Sequence, residues 1–347
     1  MIEQGMNDTD DSDPADCAIQ LGSLADLAET VTTGLPAPVR RSLWKVLGRL
    51  STAAVEYPVT LIENAISERK AESNARVRLT EVSQKQISKL MRVDPAYAQA
   101  AAEKFAQRIV RERVNVDRIA ALAVNELVKL EPPSQASDDP AGAHPDVDED
   151  WLNVFEEEAA KISGEHAQKV FAKILAGEIN RPASFSKKTI KLMSQLDKSV
   201  AEVFRLACSM SVSMQVPGSI IDARVIGMGE LGQNSLSEYG LSYGDCVLLQ
   251  EYGLVVPELN GYVDYQLCQR VEGSVILPLT YQNEHYFLAK KQGEARSEMR
   301  VHGMRFTSSG RELLTIVERQ SVPGHVEAMA AFFQQTFRVE LTKWVRN

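Results

Sequence analysis

Behind Pro38, apolar residues return at steps of three and four, at Val39, Leu43, Val46, Leu47, Leu50 and Ala54, which predicts an amphipathic helix with one buried stripe. No Gly or Pro interrupts the chain between Pro58 and Pro95, and the polar, helix-favouring run from Ser67 to Arg76 lies inside that stretch, so a long helix is expected there. Asp94-Pro95 forms an N-cap and first-turn pair for a helix through Tyr97, Ala101, Phe105 and Ile109, and a further helix is expected from Asn115 to Leu130. The segment 131–148, with four prolines and hardly an apolar residue, then reads as a linker.

Past the linker the helical period resumes. Asp148 or Asp150 caps a helix bearing Leu152, Phe155, Ala159 and Ile162, and a second carries Val170, Phe171, Ile174 and Leu175 as far as Arg181-Pro182. Ser184 or Ser186 opens a third around Ile190, Met193 and Leu196, and Asp197 a fourth through Val200, Phe204, Ala207 and Met210. Residues 149–212 are therefore expected to form a helical bundle.

After Pro217-Gly218 strands and turns take over. A short helix from Cys246 to Tyr252, closed by Gly253, leads into Leu254-Val-Val-Pro. Strands are expected at Tyr262–Cys268, Ser274–Leu279, His285–Lys290 and Glu298–Phe306. Thr307 caps a helix through Leu313, Leu314 and Val317, and a last amphipathic helix is expected from Gly324 to Trp344. The fold class is mainly α with a C-terminal α+β unit: a tail at 1–20, helices at 21–130, the linker, the bundle, and a winged-helix-like small sheet at 213–347.

Charge refines this division. Residues 1–20 hold six carboxylates and no Lys or Arg, which predicts a disordered acidic tail, and residues 131–165 hold eleven carboxylates against Lys161. Residues 21–130 and 166–212 are each net +5 within a chain of net charge -9. Basic helical segments between acidic connectors keep an anionic partner open. The candidates for such a surface are Lys187, Lys188 and Lys191 at a helix start and Lys290, Lys291, Arg296 and Arg300 around a hairpin turn. Arg40, Arg41, Lys45 and Arg49 flank the first stripe with Trp44 beside it, the pattern of a helix that lies on an anionic membrane or meets a partner. A core helix with a solvated basic face is the commoner origin of that pattern.

Catalytic and cofactor motifs fare poorly. Gly227-Met-Gly229-Glu-Leu-Gly232 matches the dinucleotide fingerprint, but Gln-Asn-Ser-Leu-Ser-Glu-Tyr-Gly follows it where a helix must receive the pyrophosphate, so a loop is expected. His144, His166, His285, His302 and His325 are scattered without a second ligand at helical spacing, and Cys17, Cys208, Cys246 and Cys268 without a C-x-x-C pair. Glu156, Glu157, Glu158 and Glu165 read as a solvated helix face, and no nucleophile elbow occurs. No metal, cofactor or catalytic residue is expected.

Three stretches carry a resemblance. They are Trp151-Leu-Asn-Val-Phe-Glu-Glu-Glu-Ala through Phe171-Ala-Lys-Ile-Leu-Ala-Gly-Glu-Ile-Asn-Arg-Pro-Ala-Ser-Phe-Ser-Lys-Lys-Thr, then Leu248-Leu-Gln-Glu-Tyr-Gly-Leu-Val-Val, then Phe306-Thr-Ser-Ser-Gly-Arg-Glu-Leu-Leu. Over roughly residues 145–320 they resemble an uncharacterised bacterial family, domain of unknown function 2806, and more loosely the abortive-infection proteins of the alpha type. The resemblance implies a bacterial cytosolic protein with a link to phage defence, and it supplies no catalytic residues.

The function expected is a non-enzymatic regulatory or scaffolding role in a bacterial assembly. The alternative is a nucleic-acid-binding regulator, disfavoured because the helix placed for groove entry offers Asp245, Gln250 and Glu251, and acidic groups repel phosphate. A protein partner and self-association through the N-terminal helices are expected. So is a cytoplasmic location, because the first residues are acidic rather than basic and no apolar run is long enough to span a bilayer.

Overall fold

The computed structural model describes residues 34–50, 95–130, 145–216, 219–229, 235–290 and 295–344. The chain forms two compact units, Met1–Phe185 and Ser186–Asn347. The acidic tail, the long helix expected between Pro58 and Pro95, and residues 131–144 of the linker lie outside the described residues.

In the first unit, helix α1 (Ala37–Leu50) buries Val39, Leu43, Val46, Leu47 and Leu50, the stripe that the spacing indicates. Helix α2 spans Pro95–Lys129 without a break. Two helices were expected here; no Gly or Pro separates them, and the polar run Arg111-Glu-Arg marks the point where α2 enters the core rather than a turn. Val116, Ile119, Ala120, Ala123, Val124 and Leu127 are buried on its C-terminal half. Helices α3 (Glu149–Ala160) and α4 (Glu165–Asn180) pack against that half, joined by α1.

Polar groups seal these contacts. Asn115, buried on α2, donates to the Ala160 carbonyl at 2.9 Å, and the Gln168 amide of α4 donates to the Ile162 carbonyl at 3.0 Å. The helices on either side of the linker thus share one core. This corrects the expected bundle over 149–212, because the unit boundary falls at Phe185/Ser186 and the bundle's third and fourth helices belong to the second unit.

The second unit opens with α5 (Lys187–Ser194) and α6 (Lys198–Met210) and then builds an eight-stranded sheet in the order β3-β7-β2-β1-β5-β6-β4, with β8 also on β6. The strands are β1 (Val212–Val216), β2 (Ser219–Ile226), β3 (Val255–Asp264), β4 (Gln269–Arg270), β5 (Leu279–Tyr281), β6 (Glu284–Ala289), β7 (Arg300–Phe306) and β8 (Glu340–Lys343). Pairings are antiparallel except β4 with β6. Helices α7 (Tyr243–Glu251), α8 (Ser308–Leu314) and α9 (His325–Phe337) complete it.

Several elements differ from expectation. The small sheet is in fact a broad one. The stretch Tyr262–Cys268 is a strand to Asp264 and then a 3-10 turn, and strand structure in Ser274–Leu279 begins at Leu279. The last helix stops at Phe337, since Arg338 turns left-handed at φ 56, and the chain returns as β8 against β6. Val212, Met214, Tyr265, Leu279, Leu288, Val301, Met329 and Phe333 form the core between sheet and α9.

Candidate functional site

Within each unit the stretches that carry the resemblance converge on polar turns. In the first unit Glu178, buried near the end of α4, accepts hydrogen bonds from the backbone N–H of Ala183 at 2.7 Å and of Phe185 at 3.0 Å. These bonds hold Ala183 at φ 65, a conformation unfavourable for a residue with a Cβ. The Trp151 indole donates to the Phe185 carbonyl at 2.6 Å. A Cβ on Gly177 would lie 2.7 Å from the Phe185 ring, so that glycine makes room for it. The most specific part of the resemblance is therefore the frame of one turn.

In the second unit a carboxylate again replaces missing partners, at the start of α5. One Glu312 oxygen accepts from the Ser186 N–H at 2.7 Å, the Ser186 hydroxyl at 3.1 Å and the Thr189 hydroxyl at 2.5 Å. The same helix, α8, begins at Thr307, whose hydroxyl accepts from the Gly310 N–H at 3.1 Å and donates to the Gly253 carbonyl at 2.7 Å. Gly310 packs against the α7–β3 turn so closely that a Cβ would stand 2.1 Å from the Leu254 carbonyl oxygen. Gly253 closes α7 at φ 69. Thus α5, the α7–β3 turn and α8 form one junction, with Lys187, Lys188 and Lys191 exposed on α5.

The other sequence candidates are placed as follows. The Lys290 ammonium donates to the Ala295 carbonyl at 2.8 Å and the Ser297 hydroxyl at 2.9 Å, and Arg296 to the Gln269 and Ser274 carbonyls at 3.3 and 3.1 Å. Arg300 bonds Glu298 at 2.8 Å and lies over the Tyr262 ring, 4.7 Å from its centroid. Lys291 lies outside the described residues. Three hairpin cations are thereby engaged within the fold.

On α1, Arg40 and Arg41 are exposed and Trp44 is partly buried. Lys45 pairs with Asp146 at 3.0 Å, and Arg49 bonds the Glu149 carboxylate and the Asn153 amide oxygen. Lys45 and Arg49 on that flank thus meet polar groups at and just before the start of α3, while Arg40 and Arg41 stay exposed. Among the described residues no helix is long and apolar enough to cross a membrane, and no group of three or more His, Cys, Asp and Glu could hold a metal.

The Gly227–Gly229 segment leaves β2 as a loop, and residues 230–234 lie outside the described ones. Asp245 is partly buried in a capping box with Ser242, because α7 begins at Tyr243 rather than Cys246. Gln250 and Glu251 are exposed as expected.

Two buried polar clusters escaped the sequence reading. Arg224 on β2 clamps Asp222 with Nε and Nη2 at 2.8 and 2.9 Å and donates to the Val301 carbonyl at 3.1 Å. The Tyr265 hydroxyl, held well above its ordinary range by burial and then by Asp222, has no hydrogen-bond partner among the described residues. Alternation along Asp222-Ala-Arg-Val-Ile is the signal that could have placed both charges on one face.

The second cluster is His325, at the first turn of α9, whose Nδ1 lies 3.0 Å from the Tyr281 hydroxyl. Its ring stacks on Tyr281 and meets Tyr239 edge-on. Burial pushes the imidazole down to about 4 and Tyr281 up to about 12. Gln282 fixes the hairpin by donating to the Ser209 and Gln320 carbonyls, both at 3.0 Å. Nothing local in the sequence singles out His325, because its partners come from distant strands and turns.

The model of a family described as "Protein of unknown function (DUF2806)" matches residues 99–330. The chain belongs to this family. No curated protein and no solved structure matches it significantly. The matched span covers both polar turns and ends inside α9.

Proposed function

We propose that this member of the family is a non-enzymatic regulatory or scaffolding protein of a bacterial cytosolic assembly, and that it engages an acidic segment of a protein partner through α5. The looser likeness to abortive-infection proteins suggests phage defence as the setting. The observation that carries this reading is the row of exposed cations on α5: Lys187, Lys188 and Lys191 stand together on a helix that Glu312 and Thr307 lock to the α7–β3 turn. A cationic face on a rigid element suits recognition of a charged segment.

Nucleic-acid binding is the second reading, and α7 argues against it. In a winged-helix-like docking that helix would bring Gln250 and Glu251 to the phosphates, which it cannot neutralise. The two readings separate with one variant set. Lys187→Glu, Lys188→Glu and Lys191→Glu together should abolish co-purification of the partner from the native host and leave the melting temperature in place. A duplex-DNA titration should show no binding that weakens steeply with salt. Retained co-purification in the triple variant would overturn the reading, and salt-sensitive duplex binding that this variant loses would establish the alternative.

A further inference from the structure

The apolar stripe of α2 runs past the core that covers it. At 100° per residue Phe105, Ile109, Val116, Ala120, Ala123 and Leu127 fall within an arc of about 60°. From Val116 onward the stripe is buried against the other helices of the first unit. Arg113 marks the edge of that cover, donating to the Leu50 carbonyl at 2.9 Å and to Glu156 at 3.1 Å. On the other side of that edge Phe105 is 57% exposed and Ile109 49%. An apolar continuation of a packed face calls for a packed neighbour, since helices of this kind draw their stability from such a face.

We propose that the neighbour is a second copy of this chain, packed antiparallel on α2 across a two-fold axis near Val110. Charge selects the occupant. Arg108 and Glu112 flank the stripe as a pair of opposite sign, 2.6 Å apart on the helix surface. Antiparallel pairing about residue 110 places Arg108 opposite the Glu112 of the copy and Glu112 opposite its Arg108. The same register sets Ile109 and its counterpart one residue to either side of the axis, within reach of each other, and sets Phe105 at the level where the buried stripe of the copy begins. A nucleic acid or an acidic segment would meet Glu112 with repulsion, and a basic one would meet Arg108. The contact lies in the first unit and does not involve the α5 lysines, so it goes beyond the function proposed above and stands or falls separately.

Analytical ultracentrifugation of the full chain at micromolar concentration should give twice the mass of one chain. Ile109→Glu should give a monomer with an unchanged helical circular-dichroism signal. Arg108→Glu and Glu112→Arg, each alone, should weaken the dimer at least about tenfold, and the two together should bring it back to within about threefold of the starting value. A full chain that stays monomeric, a dimer that survives Ile109→Glu, or single charge reversals that the double variant does not rescue would each overturn the proposal. If Ile109→Glu fails to fold, the charge exchange, made at exposed positions, still decides it.

Discussion

Gly310 shows how a single hydrogen atom in place of a methyl can hold a junction together. The Leu254 carbonyl oxygen occupies the space of its missing Cβ, and that carbonyl belongs to backbone which cannot swing aside. Gly310→Ala should therefore cost at least about 2 kcal/mol, read as a lower denaturation midpoint with the slope unchanged. His325 makes a second case. Its folded-state value near 4 lies below the ordinary 6.5 because burial penalises the charged ring, with Glu327 opposing, and only the neutral ring suits a site walled by Tyr239 and Tyr281. The unfolded chain takes up the proton first, so stability is lost as pH falls from about 6.5 towards 4, by up to about 3 kcal/mol. Denaturant curves at pH 7 and pH 4.5 should differ less for His325→Phe than for the unaltered chain; an equal difference would show that other groups set the acid limit. At this scale the sequence was legible at the caps, where Asp148 and Thr307 receive the expected N–H groups. It was mute on the buried clusters, because the partners of Arg224 and His325 are brought in by pairing of segments far apart in the chain.

Elements were legible where one local rule decided them. The stripe of α1, the caps of α3 and α5, and the Gly253 stop of α7 follow from spacing and cap chemistry. Errors arose where one element passes into another without punctuation. Val212-Ser-Met-Gln-Val alternates as a strand should, yet it leaves α6 through Ser211 with no Gly or Pro to announce it, and strands are expected only after Pro217-Gly218. At the other end Arg338 turns left-handed where a glycine is usual, and β8 was taken for the end of α9. Glu312 deserves a test at this scale, since it caps α5 from another helix. Glu312→Ala leaves the Ser186 N–H and two hydroxyls without that acceptor and should cost about 1 to 2 kcal/mol. Glu312→Gln keeps an oxygen in place and should recover part of it. Equal melting temperatures for all three proteins would show that Ser186 alone is enough to start the helix.

For the whole molecule, the two compact units were half visible in advance. Composition drew the division at the proline-rich linker, but linkers join helices of one core as readily as they separate cores, and proline content cannot tell which. Packing decides: Asn115 on α2, before the linker, donates to the Ala160 carbonyl behind it, and α2 lies along α3 and α4. The division falls instead at Phe185/Ser186, where Glu178 ties the preceding turn to the first unit and Glu312 ties the following helix to the second. Two consequences separate these descriptions. A protease that nicks residues 131–144 should leave both pieces held together by the α2–α3–α4 core, so that they elute from a sizing column as one species and part only in denaturant. Expression from Ser186 onward should yield a fragment with a cooperative thermal transition, because its core of sheet and α9 draws on residues after that point. A fragment that starts at Asp148 carries α3 and α4 without the helix they cover, and should expose Leu152, Phe155, Phe171 and Ile174 and aggregate. If the nicked pieces separate in native buffer, or the fragment from Asp148 is the better behaved of the two, the boundary belongs at the linker after all.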